Sequence, residues 1–235
     1  APPESGSARH TPGAPQRKMT MQEIFVKTEK AFIADLPRFV FEGRVEVAQS
    51  ARETESALRY LRGAGTMVGF DTETRPSFHK GETHKVALMQ VSTDEVCILF
   101  RLCMTGLTPD LIDLLENESI IKIGLSLKDD LLMLSRRHSF TPRGFLDLQT
   151  YAAEMGIRDM SLQKLYANLF HKKITKRSRL TNWERDVLTE EQKRYAATDA
   201  YTCLQMYRRL EKLRRTGQYV LVESEPETPA DSAGA

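Results

Sequence analysis

Val68-Gly69-Phe70-Asp71-Thr72-Glu73-Thr74 reads as a short buried strand that ends in two acids. Residues i and i+2 of a strand point to the same face, so Asp71 and Glu73 do too. Like charges held that close oppose each other's ionisation. At 4 Å the repulsion is roughly 4 kcal/mol for an effective dielectric of 20. A divalent cation between them reverses the sign, and hard carboxylate oxygens favour Mg²⁺ or Mn²⁺ over zinc. On its own the pattern also fits a strand that frays into a polar loop.

Outward from this strand the chain alternates. Ser50–Arg62 reads as a helix with apolar Ala57, Leu58 and Leu61. Strands are expected at Met67–Asp71, Val86–Val91 and Val96–Phe100, the last two joined by the polar turn Ser92–Glu95. Thr108–Leu115 is a helix with Thr108 as its cap and Pro109 at its first position. Ile120–Gly124 is a strand and Lys128–Arg137 a helix. After Pro142 the pattern is mostly helical: Leu148–Glu154, Ser161–Leu169 and a long helix Thr189–Leu213. Thr189 and Gln192 open that helix as a capping box. This order predicts an α/β layer fold with a mixed sheet.

The composition agrees with one folded body. The 235 residues are 40% hydrophobic and 28% charged, the balance of a soluble globular protein. Mean hydropathy is −0.42, and no apolar run approaches the ~20 residues of a membrane span. Residues 1–20 read as a disordered arm rich in Pro, Gly, Ala and Ser, with no apolar stretch of a secretory signal. Residues 223–235 read as an acidic disordered tail, which leaves a single domain over 22–220. Three cysteines, with no Cys-x-x-Cys pair, favour a reducing, intracellular setting, and a cytoplasmic location is expected. Their apolar contexts make Cys97, Cys103 and Cys203 core residues. The net charge of +2 neither requires nor excludes a nucleic-acid partner.

Two further places carry acids. The apolar stripe of the long helix runs Tyr195, Asp199, Cys203, Met206, Leu210. Asp199 therefore lies in a face that should be buried, and a buried carboxylate needs an Arg, another cation or a metal. Tyr195 stands one turn before it on the same face. Asp129 and Asp130 open the helix after strand Ile120–Gly124, where the helix dipole favours one of them and the sheet end could take the other.

In this order, Phe70-Asp71-Thr72-Glu73, the Gly124-x5-Asp130 junction and Tyr195-Ala196-Ala197-Thr198-Asp199 resemble the DEDD exonuclease superfamily in its Tyr-containing branch. The likeness is to the ribonuclease D and Werner-type 3′–5′ exonuclease domains. Leu180-Thr181-Asn182-Trp183 and Leu188-Thr189-Glu190-Glu191-Gln192 fit the same family, and the resemblance covers roughly residues 45–215. It implies a ribonuclease H-like mixed β-sheet flanked by helices. It makes Asp71, Glu73, Asp130 and Asp199 the ligands of two divalent cations, Mg²⁺ or Mn²⁺, about 3.5–4 Å apart. The family's spacing from Gly124 favours Asp130, with its neighbour Asp129 as the fallback. Tyr195 would hold the attacking water, since a phenol with an ordinary pKa near 10 is a poor base at pH 7. The resemblance implies hydrolysis from the 3′ end of single-stranded DNA or RNA, with release of nucleoside 5′-monophosphates. A catalytically idle relative that binds nucleic acid or protein is the alternative, against which stands the complete carboxylate set.

Substrate contacts are sought in the basic stretch His171–Arg179, chiefly Lys176 and Arg179. Trp183 is either a stacking platform for a base or a packing anchor. The resemblance implies that the Thr72 main-chain amide meets the terminal sugar. His79 and His84 flank a polar turn and read as two exposed histidines rather than a metal pair. No Walker loop, His-Glu-x-x-His or Gly-x-Ser-x-Gly motif occurs.

Overall fold

The computed structural model describes residues 20–223, so the arm and tail expected at the two ends lie almost wholly outside the described residues. In chain order the elements are β1 (Gln22–Phe25), α1 (Lys30–Ala34), β2 (Arg44–Ala48), α2 (Ala51–Gly63), β3 (Met67–Thr74), β4 (Val86–Ser92), β5 (Val96–Phe100) and α3 (Leu102–Thr105). There follow α4 (Pro109–Glu116), β6 (Ile121–Gly124), α5 (Leu127–Ser135), β7 (Phe145–Asp147), α6 (Leu148–Glu154), α7 (Leu162–Phe170), α8 (Glu190–Thr216) and β8 (Tyr219–Val222). Six strands form one mixed sheet in the order β2-β5-β4-β3-β6-β7, and β1 pairs with β8 in a separate parallel ladder. The β3–β4–β5 meander is antiparallel, and β2, β6 and β7 join it by parallel pairings.

Each face of the sheet buries its own core. Phe70, Met89, Val91 and Ile98 meet Leu58 and Leu61 of α2 and Leu111 and Leu115 of α4. Ala87, Leu88 and Leu99 face the other way, onto Ala196, Ala197 and Ala200 of α8. Small residues on α8 let it lie close to the strands. Gly69 is the point of closest approach: a Cβ there would sit 1.9 Å from the Ala200 carbonyl oxygen. Gly69, Asp71 and Glu73 share one face by strand alternation, so the glycine that admits α8 also brings its acids over the end of β3.

The α8 helix starts as the sequence predicts. The Thr189 hydroxyl accepts from Gln192 N, and the Gln192 side chain accepts from Thr189 N, both at 3.1 Å. The helix runs three residues past the expected end, to an αL cap at Gly217. Several expectations are corrected. The central strand continues through Glu73 to Thr74, because β4 pairs with it that far, across a register shift between Glu73 and Thr74. The region after Pro142 is mostly helical as expected, but a strand the sequence did not show, β7, extends the sheet. The short pieces β1, α1, β2, α3, β7 and β8 have too few residues for a periodic signal. His84 is not exposed: its ring lies half-buried beside the carboxylates of Glu82 and Glu184. Cys97 and Cys203 are buried and Cys103 half-buried, all as free thiols. Among the described residues no helix is long and apolar enough to cross a membrane.

Candidate active site

Asp71, Glu73 and Asp199 each present an oxygen within 4.8 Å of the others, although Asp199 lies far along the chain from the first two. Glu73 and Asp199 are buried and Asp71 half-buried. Asp130, on the first turn of α5, reaches the same end of β3. The Thr72 hydroxyl donates a short hydrogen bond to its carboxylate. Asp129 is exposed. The structure thus gathers Asp71, Glu73, Asp130, Asp199 and Tyr195 from three elements.

The electrostatics are those of buried acids crowded together. Burial raises Asp71, and the charges of Asp130 and Asp199 raise it further. Burial also raises Glu73, with Asp71 the largest of the charges that add to it, while Arg179 pulls it down. Burial lifts Asp130 to about 6 against the opposing hydrogen bond from Thr72. Burial lifts Asp199 to about 7, although a hydrogen bond from Tyr195 and the charge of Lys176 both lower it. Burial, then the charge of Asp199, keeps the Tyr195 phenol far above its ordinary value, so it stays protonated and donates to Asp199.

One further acid, Asp147, holds the start of α5 in place. Asp147, at the end of β7, accepts from Ser126 N at 3.0 Å and Leu127 N at 2.8 Å, and also from Gln149 N at 2.9 Å. It therefore caps α6 and orients the start of α5, where Ser126 takes a left-handed φ of 63°. Asp147 is absent from the sequence reading, yet an Asp just before the helix Leu148–Glu154 is an N-cap signal. The Thr72 hydroxyl, which the sequence did not mark, meets this cluster through Asp130.

Loop residues close the tyrosine side. Gln192 donates to Thr181 Oγ1 at 2.9 Å and to the Asn182 carbonyl at 3.1 Å, tying the Leu180–Trp183 stretch to the start of α8. Buried Arg101 donates to the Arg185 carbonyl at 2.5 Å and pins the intervening loop. Trp183 is 0% exposed and packs on Tyr195, so it has no face free for a base. The packing-anchor alternative is the correct one. Lys176 and Arg179 are exposed and line, with Tyr195 and Asp199, a cavity of about 160 Å³. A larger concavity of about 470 Å³ lies by Met67, at the opposite end of β3 from Glu73, and takes in none of these residues.

The profile of the 3′-5′ exonuclease family matches residues 45–214. The chain belongs to that family. It is 35% identical over 227 residues to the bifunctional 3′-5′ exonuclease/ATP-dependent helicase WRN of Mus musculus, covering 92% of this chain and 16% of that protein. It is 32% identical over 149 residues to ribonuclease D of Haemophilus influenzae, covering 62% of this chain and 36% of that protein. The chain thus spans well under two thirds of either relative. The crystallised EXO domain of Aedes aegypti Nibbler superposes with a TM-score of 0.67 at 24% identity, over 76% of this chain and 92% of that one. That likeness speaks for the fold, a mixed sheet flanked by helices. The resemblance to Werner-type and ribonuclease D domains agrees with these relatives.

Proposed function

We propose that the chain is a metal-dependent 3′–5′ exonuclease of the Tyr-containing branch, acting on single-stranded DNA or RNA ends. The observation that carries this is the convergence of Asp71, Glu73 and Asp199 within 4.8 Å, with Asp130 alongside. The donor set fits a hard divalent cation. It is all carboxylate oxygen, largely buried, and raised toward protonation by burial and by the neighbouring carboxylates. Asp71, Glu73, Asp130 and Asp199 would hold two cations, Mg²⁺ or Mn²⁺, which when bound neutralise charge on the phosphate and acidify a water.

The rest is done by the chain. Thr72 fixes the rotamer of Asp130 through its hydroxyl. Tyr195, held protonated, orients a water by hydrogen bonding and does not take its proton. Lys176 and Arg179 offer positive charge at the mouth of the cavity, where the substrate phosphate enters. The water gives up a proton to solvent as its oxygen bonds to phosphorus of the last phosphodiester, and the bond from phosphorus to the 3′ oxygen breaks. That oxygen takes a proton, and a nucleoside 5′-monophosphate leaves. The full set of acids opposes the idle-relative alternative, because losing one ligand is the simplest way to lose activity.

Incubating end-labelled single strands with Mg²⁺ or Mn²⁺ tests this reading. Shortening from the 3′ end, stopped by chelator, is expected. Shortening from the 5′ end, or cutting of a closed circle, refutes the polarity. Binding without cleavage in either metal supports the idle relative.

A further inference from the structure

The cavity beside Tyr195 and Asp199 does not stop at Lys176. Ser161, Gln163, Ile174 and Lys176 also line a second concavity of about 340 Å³ that continues toward α1. Lys30, Lys164 and Lys173 complete its cationic rim, and no carboxylate lines it. These lysines come from three places: α1, α7 and the segment that follows α7. Sequence reading singled out only the last of them. The ammonium of Lys164 donates to the Thr28 carbonyl at 2.7 Å, and that of Lys173 donates to the Ala34 carbonyl. Backbone carbonyls fix the two ammonium groups without neutralising them, and each has three donors. Ile33 and Ile174 give the groove an apolar floor.

Four cations around one concavity repel each other unless an anion lies among them. A polyanion with evenly spaced charges and flat apolar faces meets both features of the groove. We propose that this groove holds the nucleotides 5′ of the scissile bond in a single-stranded polynucleotide, with Lys30, Lys164 and Lys173 at its phosphates. The proposal takes the position of the scissile bond from the exonuclease reading. Lys176 stands at the junction of the two cavities, where its charge reaches Asp199.

The test is binding of a fluorescein-labelled twelve-nucleotide strand, followed by anisotropy in chelator, where cleavage plays no part. The variant is Lys30→Gln/Lys164→Gln/Lys173→Gln. Glutamine removes the charge and keeps an N–H donor, on a side chain one atom shorter. Kd is expected to rise about tenfold or more, and the slope of log Kd against log salt to fall by about 0.7 per lysine. With metal, the preference in kcat/KM for the twelve-nucleotide strand over a dinucleotide should fall by the same factor. An unchanged Kd and slope overturn the groove, whether or not the protein cleaves. Weakened binding in a protein that cleaves nothing with metal leaves the groove standing and defeats the nuclease reading. Displacement of the strand by an equal charge of polyglutamate makes the groove a general anion surface and overturns its assignment. If the triple variant does not fold, Lys30→Glu on exposed α1 should weaken binding in the same direction, and its failure to do so overturns the proposal.

Discussion

The ring centroids of Trp183 and Tyr195 lie 6.0 Å apart, tilted by 35°. Trp183 is fully buried, so it supports the tyrosine from behind. Trp183→Ala should destabilise the fold by about 3–5 kcal/mol, as large aromatic truncations in cores do. Trp183→Phe should retain most of that stability and lower kcat more than it raises KM, because the tyrosine rather than the substrate loses its support. Denaturant melts and steady-state kinetics on one strand separate the two effects. A Trp183→Phe change confined to KM would return the indole to substrate contact.

Tyr195→Phe removes the hydroxyl that Asp199 accepts from. A loss of kcat of about 10²-fold is expected, the low end for a group that manages a proton or a water. The metal concentration for half-maximal rate should move little. Calorimetric Mn²⁺ titration of the variant checks this, and an unchanged kcat counts against the water-orienting role.

Asp71→Asn or Asp199→Asn should abolish cleavage and raise the melting temperature of the metal-free protein near pH 7.5. Each removes a charge that burial and its neighbours oppose. Thermal melts in chelator read the second effect. Retained cleavage in either variant overturns the site assignment.

The pH dependence has a definite sign. Asp130 titrates near 6 and Asp199 near 7 in the folded chain, both above the ordinary carboxylate value of 3.8. Between those limits the folded state holds protons that the unfolded state has released, so stability falls as pH rises. Metal-free protein should lose melting temperature from about pH 4 to pH 7 relative to Asp199→Asn, and level off above. Cation binding needs the ionised carboxylates, so added Mg²⁺ should restore more stability at pH 8 than at pH 5. Parallel slopes for the two proteins would contradict the raised Asp199.

How much of this was legible in the sequence follows from the range of each signal. The pair Asp71 and Glu73 is a two-residue alternation, and Tyr195 with Asp199 is one helical turn, so both were visible locally. The capping box at Thr189 and Gln192 was visible for the same reason. What joins them was not. The approach of α8 to β3 depends on the carbonyl of Ala200 finding no side chain at Gly69, a contact between residues far apart in the chain. Trp183 was ambiguous because burial is a tertiary property. Lys30 and Lys164 each look like solvated lysines until α1 and α7 are seen on one rim. The three-residue strand β7 lacks any period, yet it ends in the Asp147 that sets the start of α5.

Gly69→Ala tests that contact. A methyl 1.9 Å from the Ala200 carbonyl oxygen has no room, and the close neighbour is backbone. Overpacking of this kind costs about 1–3 kcal/mol or more. Activity should drop further than stability alone explains, because Asp199 moves away with the helix. Denaturant melts beside rates measured at saturating metal decide it, and a fully active, equally stable variant refutes the close-approach argument.

The pairing of β1 with β8 joins opposite ends of the described chain in one ladder. Such a clasp closes the largest possible loop, so it zips late in folding and opens early under stress. Its two strands run in the same direction, so the peptide before Gln22 and the peptide after Val222 depart from opposite ends of one short ribbon. Anything fused upstream and anything fused downstream would therefore pull on that ribbon in shear, loading all of its rungs together rather than peeling them one by one.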